Sequence, residues 1–163
     1  MAELTPGEKL QPCLLERLTD DEPKNPAESR TSRVVSLSRY RESVLRDLRW
    51  LLNANRPRLE DGVADYPEVA TSVLNYGTPD VCGLTLSEMN VTELERAVEQ
   101  AIKTFEPRIN RNTVRVKAVR EGEEGKPTTV SFEVRGELWA QPIPEKLFIR
   151  TQLDLETGRC ELS

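Results

Sequence analysis

The spacing of apolar residues changes at Pro107, and this change constrains the fold more than any other feature of the chain. Upstream, apolar residues recur every three or four positions, as on one face of an α-helix; downstream, they alternate with polar residues, as in half-buried β-strands. The proline ring and its missing N–H prevent a helix from continuing across this point. Helices followed by hairpin-linked strands predict an α+β fold, with N-terminal helices packed on one face of a small antiparallel β-meander.

A first long helix is predicted from Ser36 or Ser38 to about Asn53. A serine side chain is a favourable N-cap, and Pro57 prevents continuation. The residues of its apolar stripe are Leu37, Tyr40, Val44, Leu48, Leu51 and Leu52.

A second long helix is predicted over 92–105, where the spacing of Thr92 and Glu95 indicates a capping box. Residues 66–80, between the two helices, remain ambiguous. A proline near their start favours a helical turn, whereas two apolar residues before a Tyr-Gly turn favour a short strand.

Alternation predicts strands over 114–118, 128–140 and 147–155, and a short last strand that holds Cys160 and Leu162. Turn residues separate these segments, so an antiparallel meander is the simplest arrangement.

Composition excludes much common enzymology. The 163 residues contain no histidine, the usual general base. Cys13, Cys82 and Cys160 lie far apart without a C-x-x-C pair, which argues against a zinc ribbon or a disulfide framework and fits a reducing cytoplasm. We expect no metal and no other cofactor. No signal peptide or membrane-spanning segment is expected, and the net charge of −5 argues against bulk attraction to nucleic acid or anionic lipid.

Residues 1–35 are interpreted as a flexible tail with a short amphipathic helix, and residues 36–163 as one domain. Within the tail, Leu10, Leu14, Leu15 and Leu18 have helical spacing. Two interpretations stay open: this helix folds back on the core of the domain, or it lies in a groove of a partner protein.

The segment 30–58 is rich in arginine, although the whole chain is acidic. Only Tyr40 and Trp50 are interleaved with these cations, so a stacking surface for single-stranded nucleic acid is poorly supported. A solvated face or a surface for an acidic protein partner is the better interpretation.

Glu106, Pro107 and Arg108 mark the boundary between the last helix and the first strand. The two charged residues either pair with each other and fix the helix-to-sheet angle, or present their charges to a partner. A glycan hydrolase needs two carboxyl groups across a cleft, and Glu106 with Asp154 is the best available pair. In so acidic a chain some such pair is inevitable, so hydrolysis is the weakest alternative.

Two segments resemble the tailed-phage baseplate wedge family: S-V-L-N-Y-G-T-P-D at 72–80 and F-E-P-R at 105–108. With L-L-E-R-L at 14–18 and L-R-W-L-L-N at 48–53, the likeness covers most of the chain and is greatest for TssE, the type VI secretion branch. The lysozyme label of some relatives is not carried over, because no acid and nucleophile are recognisable.

The resemblance implies a cytoplasmic, non-enzymatic subunit of a membrane-docked baseplate, without nucleic-acid binding or membrane insertion. Its partners would be the wedge proteins TssF, TssG and TssK and the sheath proteins TssB and TssC. It further implies that strands 128–140 and 147–155 template sheath polymerisation by β-augmentation.

The resemblance also implies which residues bind partners. These are Glu106, Pro107, Arg108, Leu14, Leu15, Leu18, Tyr76 and Gly77. An anti-adaptor that protects a sigma factor from proteolysis shares this domain, so a regulatory binding protein is the alternative function.

Overall fold

The computed structural model describes residues 10, 12–19, 23–24, 35–56, 66–85, 89–119, 128–140 and 144–162. The helices are α1 (Leu14–Leu18), α2 (Leu37–Leu52), α3 (Pro67–Ala70) and α4 (Val91–Phe105), and a 3₁₀ turn spans Val73–Asn75. The strands are β1 (Arg115–Val119), β2 (Thr129–Leu138), β3 (Glu145–Asp154) and β4 (Cys160–Leu162). Part of the predicted tail, residues 1–9, 11, 20–22 and 25–34, lies outside the described residues.

The four strands form one antiparallel sheet in the order β1-β2-β3-β4. Strand β2 lies at its centre, where Arg135 pairs with Arg115 of β1 on one side and with Phe148 of β3 on the other. Helices therefore precede an antiparallel meander, and the predicted α+β class is confirmed.

Alternation along the strands gives the sheet one apolar face and one polar face. In β3, every second side chain from Leu147 to Leu153 is buried, and the side chains between them are exposed. The buried side chains form one core with the apolar stripes of α2 and α4. The core includes Val44 and Leu48 of α2 and Ile102 of α4, which are at most 1% exposed.

Two details of the predicted elements need correction or resolution. Helix α4 begins one residue before Thr92, because the side-chain oxygen of Asn90 accepts from the backbone N–H of Glu93 at 3.2 Å. The predicted Thr92 capping box is therefore wrong, and Glu95 instead bonds to β1, as described below. The ambiguous segment at 66–80 forms a helical turn and a 3₁₀ turn rather than a strand.

Candidate functional site

Glu106 and Arg108 pair with each other at the turn between α4 and the sheet. Both carboxylate oxygens of Glu106 accept from the guanidinium of Arg108: Oε1 from Nε at 2.7 Å, and Oε2 from Nη2. The backbone N–H of Arg108 also donates to Oε1 at 3.1 Å. Glu106 is 3% exposed, so its carboxylate depends on this one cation for charge compensation.

Helix α2 supplies further acceptors for the same guanidinium. Nη2 of Arg108 donates to Oδ2 of Asp47 at 2.6 Å, and Nη1 donates to Oγ of the buried Ser43 at 3.2 Å. Burial by itself lowers the pKa of Arg108, but the bonds and charges of Glu106 and Asp47 outweigh it and raise that pKa above its ordinary value. The guanidinium therefore stays charged and ties α2 to the turn after α4.

The same turn is fixed to the sheet. The backbone N–H of Trp139, just after β2, donates to the carbonyl of Arg108 at 2.7 Å. The hydroxyl of Tyr40 in α2 donates to the carbonyl of Trp139 at 3.2 Å. Burial raises the pKa of Tyr40, so this hydroxyl keeps its proton at neutral pH. Helix α2, the Glu106–Arg108 turn and the end of β2 thus form one braced junction.

The brace reaches towards the N-terminal helix through Arg46. Nε of Arg46 donates to Oδ1 of Asp47 at 2.9 Å, while Nη2 lies 3.5 Å from the sulfur of Cys13, the N-cap of α1. A continuous series of polar contacts therefore runs from α1 to Arg108.

The leucines of α1 remain exposed although the helix lies beside α2. Leu14 is 69% exposed, Leu15 44% and Leu18 75%. Leu10 packs against the core, and its carbonyl accepts from the backbone N–H of Val35. Leu10 thus agrees with a segment that folds back on the core, whereas the three leucines of α1 stay accessible to a partner.

Tyr76 and Gly77 have structural surroundings. The ring of Tyr76 packs edge-on against Phe105, with 5.2 Å between centroids. Gly77 has φ +116°, and a Cβ there would lie 2.2 Å from the carbonyl oxygen of Ala54. Only glycine fits this close approach of the two chain segments.

The hypothetical hydrolytic pair has other roles. Both oxygens of Glu106 accept from Arg108, and Oδ1 of Asp154 accepts from the backbone N–H groups of Glu156 and Thr157. Neither carboxylate is arranged as a general acid. Among the described residues, no group of three or more acids and cysteines has the arrangement of a metal site.

One edge of the sheet is covered by α4, which sequence reasoning missed. The outward N–H of Ala118 in β1 donates to Oε1 of Glu95 at 2.6 Å, and that of Val116 donates to Oε2 of Glu99 at 3.3 Å. The available signal was the pair of acids four residues apart, which share one face of a helix. Carboxylates in these positions block β1 as a template for another strand.

The opposite edge is uncovered along half of β3. Neighbouring residues of a strand direct their backbone N–H groups to opposite sides. The N–H of Leu155 donates towards β2, and that of Asp154 donates towards β4. Lys146 and Phe148 lie an even number of residues before Asp154, so their N–H groups also point away from β2. Strand β4 pairs only with residues 151–153 of β3. Within the described part of the chain, no hydrogen bond reaches Lys146 or Phe148 on this side.

The arginine-rich segment is partly engaged in ion pairs. Arg41 pairs with Glu145 at 3.5 Å, and Arg46 pairs with Asp47 while stacking 5.3 Å from the ring centroid of Trp50. Such pairing reduces the charge available to phosphates. No helix in the described ranges has the length and apolar character that crossing a bilayer requires.

Comparison with known families adds one finding. A family model described as "Baseplate wedge protein gp25" matches residues 38–143 of the 163-residue chain, from α2 to just beyond β2. The match contains the Glu106–Arg108 brace and the covered edge, whereas α1 and the open part of β3 lie outside it. Curated proteins gave no match, and neither did solved structures.

Proposed function

Because the chain belongs to the family of baseplate wedge protein gp25, we propose that it is the TssE subunit of a type VI secretion baseplate. In this role it is a structural, non-enzymatic protein that links wedge proteins to the first ring of the contractile sheath. It acts in the cytoplasm, within a baseplate docked at the membrane. Its partners are TssF, TssG and TssK on the wedge side and TssB and TssC on the sheath side.

The observation that carries the sheath contact is the difference between the two sheet edges. Carboxylates cover β1, whereas Lys146 and Phe148 of β3 direct their backbone groups outwards. An added strand can pair with both N–H and both C=O groups of these two residues. At about 0.5–1.5 kcal/mol net for each bond, this pairing contributes about 2–6 kcal/mol before the cost of association.

The edge also provides side-chain selectivity. Phe148 is 45% exposed and lies between two guanidinium groups, with Arg135 at 5.4 Å and Arg150 at 5.9 Å from its ring centroid. A docked strand with an acidic or apolar residue opposite Phe148 fits this surface better than a basic strand. The register of an added sheath strand is thus restricted by side chains as well as by the backbone.

The exposed leucines of α1 form the proposed wedge contact. Full burial of a leucine side chain contributes about 1.5–3 kcal/mol. Because Leu14, Leu15 and Leu18 are exposed in the free chain, a large part of this free energy is still available on binding a partner. An amphipathic helix of this kind fits an apolar groove on a partner.

The Glu106–Arg108 brace positions these two contacts relative to each other. It connects α2, which contacts α1 through Arg46, to the end of β2, which pairs with β3. We place the partner-facing part of this motif at Pro107, which is exposed, and at the outer part of the Arg108 guanidinium. The buried carboxylate of Glu106 acts through Arg108.

The sheath contact is tested with Phe148→Pro, and Phe148→Ala is its matched control. Proline removes the outward N–H but is tolerated at a strand edge, whereas alanine removes only the ring. We expect Phe148→Pro to abolish sheath assembly in cells that carry a fluorescent TssB, and Phe148→Ala to retain most of it. Equal sheath assembly by both variants, with equal melting temperatures, contradicts strand augmentation at this edge.

The wedge contact is tested separately by replacing Leu14, Leu15 and Leu18 with serine. The side chains are exposed, so the melting temperature should stay within about 2 °C of the wild-type value. Co-purification with TssF and TssG should be lost, while Phe148→Pro should leave it intact. Unchanged co-purification of the triple variant contradicts the assignment of α1.

A further inference from the structure

A cationic hollow lies on the surface formed by the end of α4 and the loop before β1. It holds about 510 Å³ and is lined by polar side chains that include Lys103, Arg111 and Arg115. None of the described residues that line it carries a carboxylate, although the whole chain has a net charge of −5. Such a local excess of positive charge attracts an anionic ligand.

Two of the three cations are available to a ligand. Lys103 forms an ion pair with Glu99, one turn earlier in α4. Arg111 and Arg115 form no ion pair within 4.0 Å with any described residue. Arg115 attracts the charge of Glu99 only at longer range, and its Nη1 donates to the neighbouring carbonyl of Val114 at 2.6 Å. Their guanidinium groups can therefore bind carboxylates in the bidentate geometry that arginine favours.

An apolar projection adjoins the hollow. Thr71 lines the hollow, and two residues later Val73 is 82% exposed and Leu74 66% exposed. This turn is held in place: Oγ of Ser72 accepts from the N–H of Leu74 at 3.2 Å, and the side chain of Asn75 donates to the carbonyl of Ala70 at 2.8 Å. The two aliphatic side chains are thus presented to solvent on a preorganised turn, which lowers the entropic cost of docking.

From this combination we infer that the surface of the hollow and the Val73–Leu74 turn binds a protein segment in which carboxylates adjoin aliphatic side chains. Charge complementarity identifies the acidic component, and the exposed turn identifies the apolar one. Nucleic acid fits less well, because the lining residues within the described ranges include no aromatic side chain for base stacking. The surface is distinct from both the α1 leucines and the β3 edge, so the inference does not depend on either proposed contact.

The test uses the full chain, labelled with ¹⁵N, and a soluble peptide of the sequence Glu-Leu-Glu-Glu-Leu-Glu with both ends blocked. We expect saturable amide shifts around Thr71, Leu74 and Asn112, and an affinity that falls as NaCl is raised. Arg111→Gln should weaken binding up to about fivefold, the range of an exposed ion pair. Val73→Ser should weaken it about tenfold through lost apolar burial.

Controls separate this surface from general charge attraction. Arg159→Gln removes an exposed arginine from the turn before β4 and should leave the affinity unchanged. The same peptide with glutamine in place of glutamate should not bind. The inference is overturned if saturable shifts are absent from the hollow, or if Arg159→Gln weakens binding as much as Arg111→Gln. It is also overturned if inorganic phosphate displaces the peptide and Val73→Ser has no effect, because the site then binds a small anion only.

Discussion

Arg108→Ala is the substitution that most directly probes the braced junction. It leaves the carboxylate of Glu106 buried without its cation and removes the donors to Asp47 and Ser43. Removal of one partner from a buried ion pair costs about 3–5 kcal/mol. The lower end applies here, about 3 kcal/mol, because the Arg108 side chain is 18% exposed and its backbone N–H still donates to Glu106.

The assay for Arg108→Ala is urea unfolding combined with calorimetry. In a domain of this size, about 3 kcal/mol corresponds to a fall of about 6–12 °C in the melting temperature. Arg111→Ala is the matched control, since Arg111 is exposed, and it should change stability by less than about 0.5 kcal/mol. Sheath assembly should fall together with stability at temperatures where the variant is partly unfolded.

A double variant distinguishes the brace from a simple loss of packing. Glu106→Gln combined with Arg108→Ala removes both buried charges and should be at least about 1 kcal/mol more stable than Arg108→Ala alone. The reasoning is refuted if Arg108→Ala costs less than about 1 kcal/mol, or if the double variant is less stable than the single one. A large loss of sheath assembly with unchanged stability would instead identify Arg108 chiefly as a partner contact.

Three further outcomes follow from single positions. Gly77→Ala should destabilise the protein by more than about 2 kcal/mol in urea unfolding, because its Cβ would meet the carbonyl of Ala54 at a positive φ; a neutral result contradicts the assigned conformation. Burial raises the pKa of Glu99, but the bonds from Lys103 and from the N–H of Val116 outweigh burial and leave this pKa below 4.5. The stabilisation by the Glu99 carboxylate is therefore present above pH 4.5 and is lost as the pH falls through the lowered pKa. Glu99→Gln should cost about 1 kcal/mol of stability at neutral pH and nothing in acid, and a cost that does not change with pH contradicts these bonds. Burial raises the pKa of the Cys160 thiol from 9.0 to about 11, so the contribution of the neutral thiol to stability is lost as the pH rises through that range. Iodoacetamide at pH 8 should therefore leave Cys160 unmodified in peptide mapping by mass spectrometry. Rapid modification contradicts its burial.

The change of period at Pro107 was sufficient to predict the order of the elements, because apolar spacing reports directly which face of a helix or strand is buried. Alternation also predicted which side chains of β3 point into the core, every second residue from Leu147 to Leu153. The start of α4 was less determined. Asn90 and Thr92 are both good N-caps, and Glu95 suits a capping box as well as it suits its actual bond to β1.

The candidate site was predictable in residue type but not in arrangement. The sequence pointed to Glu106 and Arg108, yet left their pairing open, since spacing alone cannot show whether a guanidinium turns inwards or outwards. The contributions of Asp47 and Ser43 depend on how α2 packs against the turn after α4, which is a tertiary contact across about 60 positions of the chain. The same limit applies to the edges of the sheet, where strand order determines which N–H groups remain outward.

The most direct test of the account is a cryo-EM structure of the assembled baseplate with its first sheath ring. The account predicts an extended sheath segment hydrogen-bonded to the backbone of Lys146 and Phe148, with the covered β1 edge free of any added strand. A sheath subunit anchored on another face, with this stretch of β3 left unpaired, would contradict it.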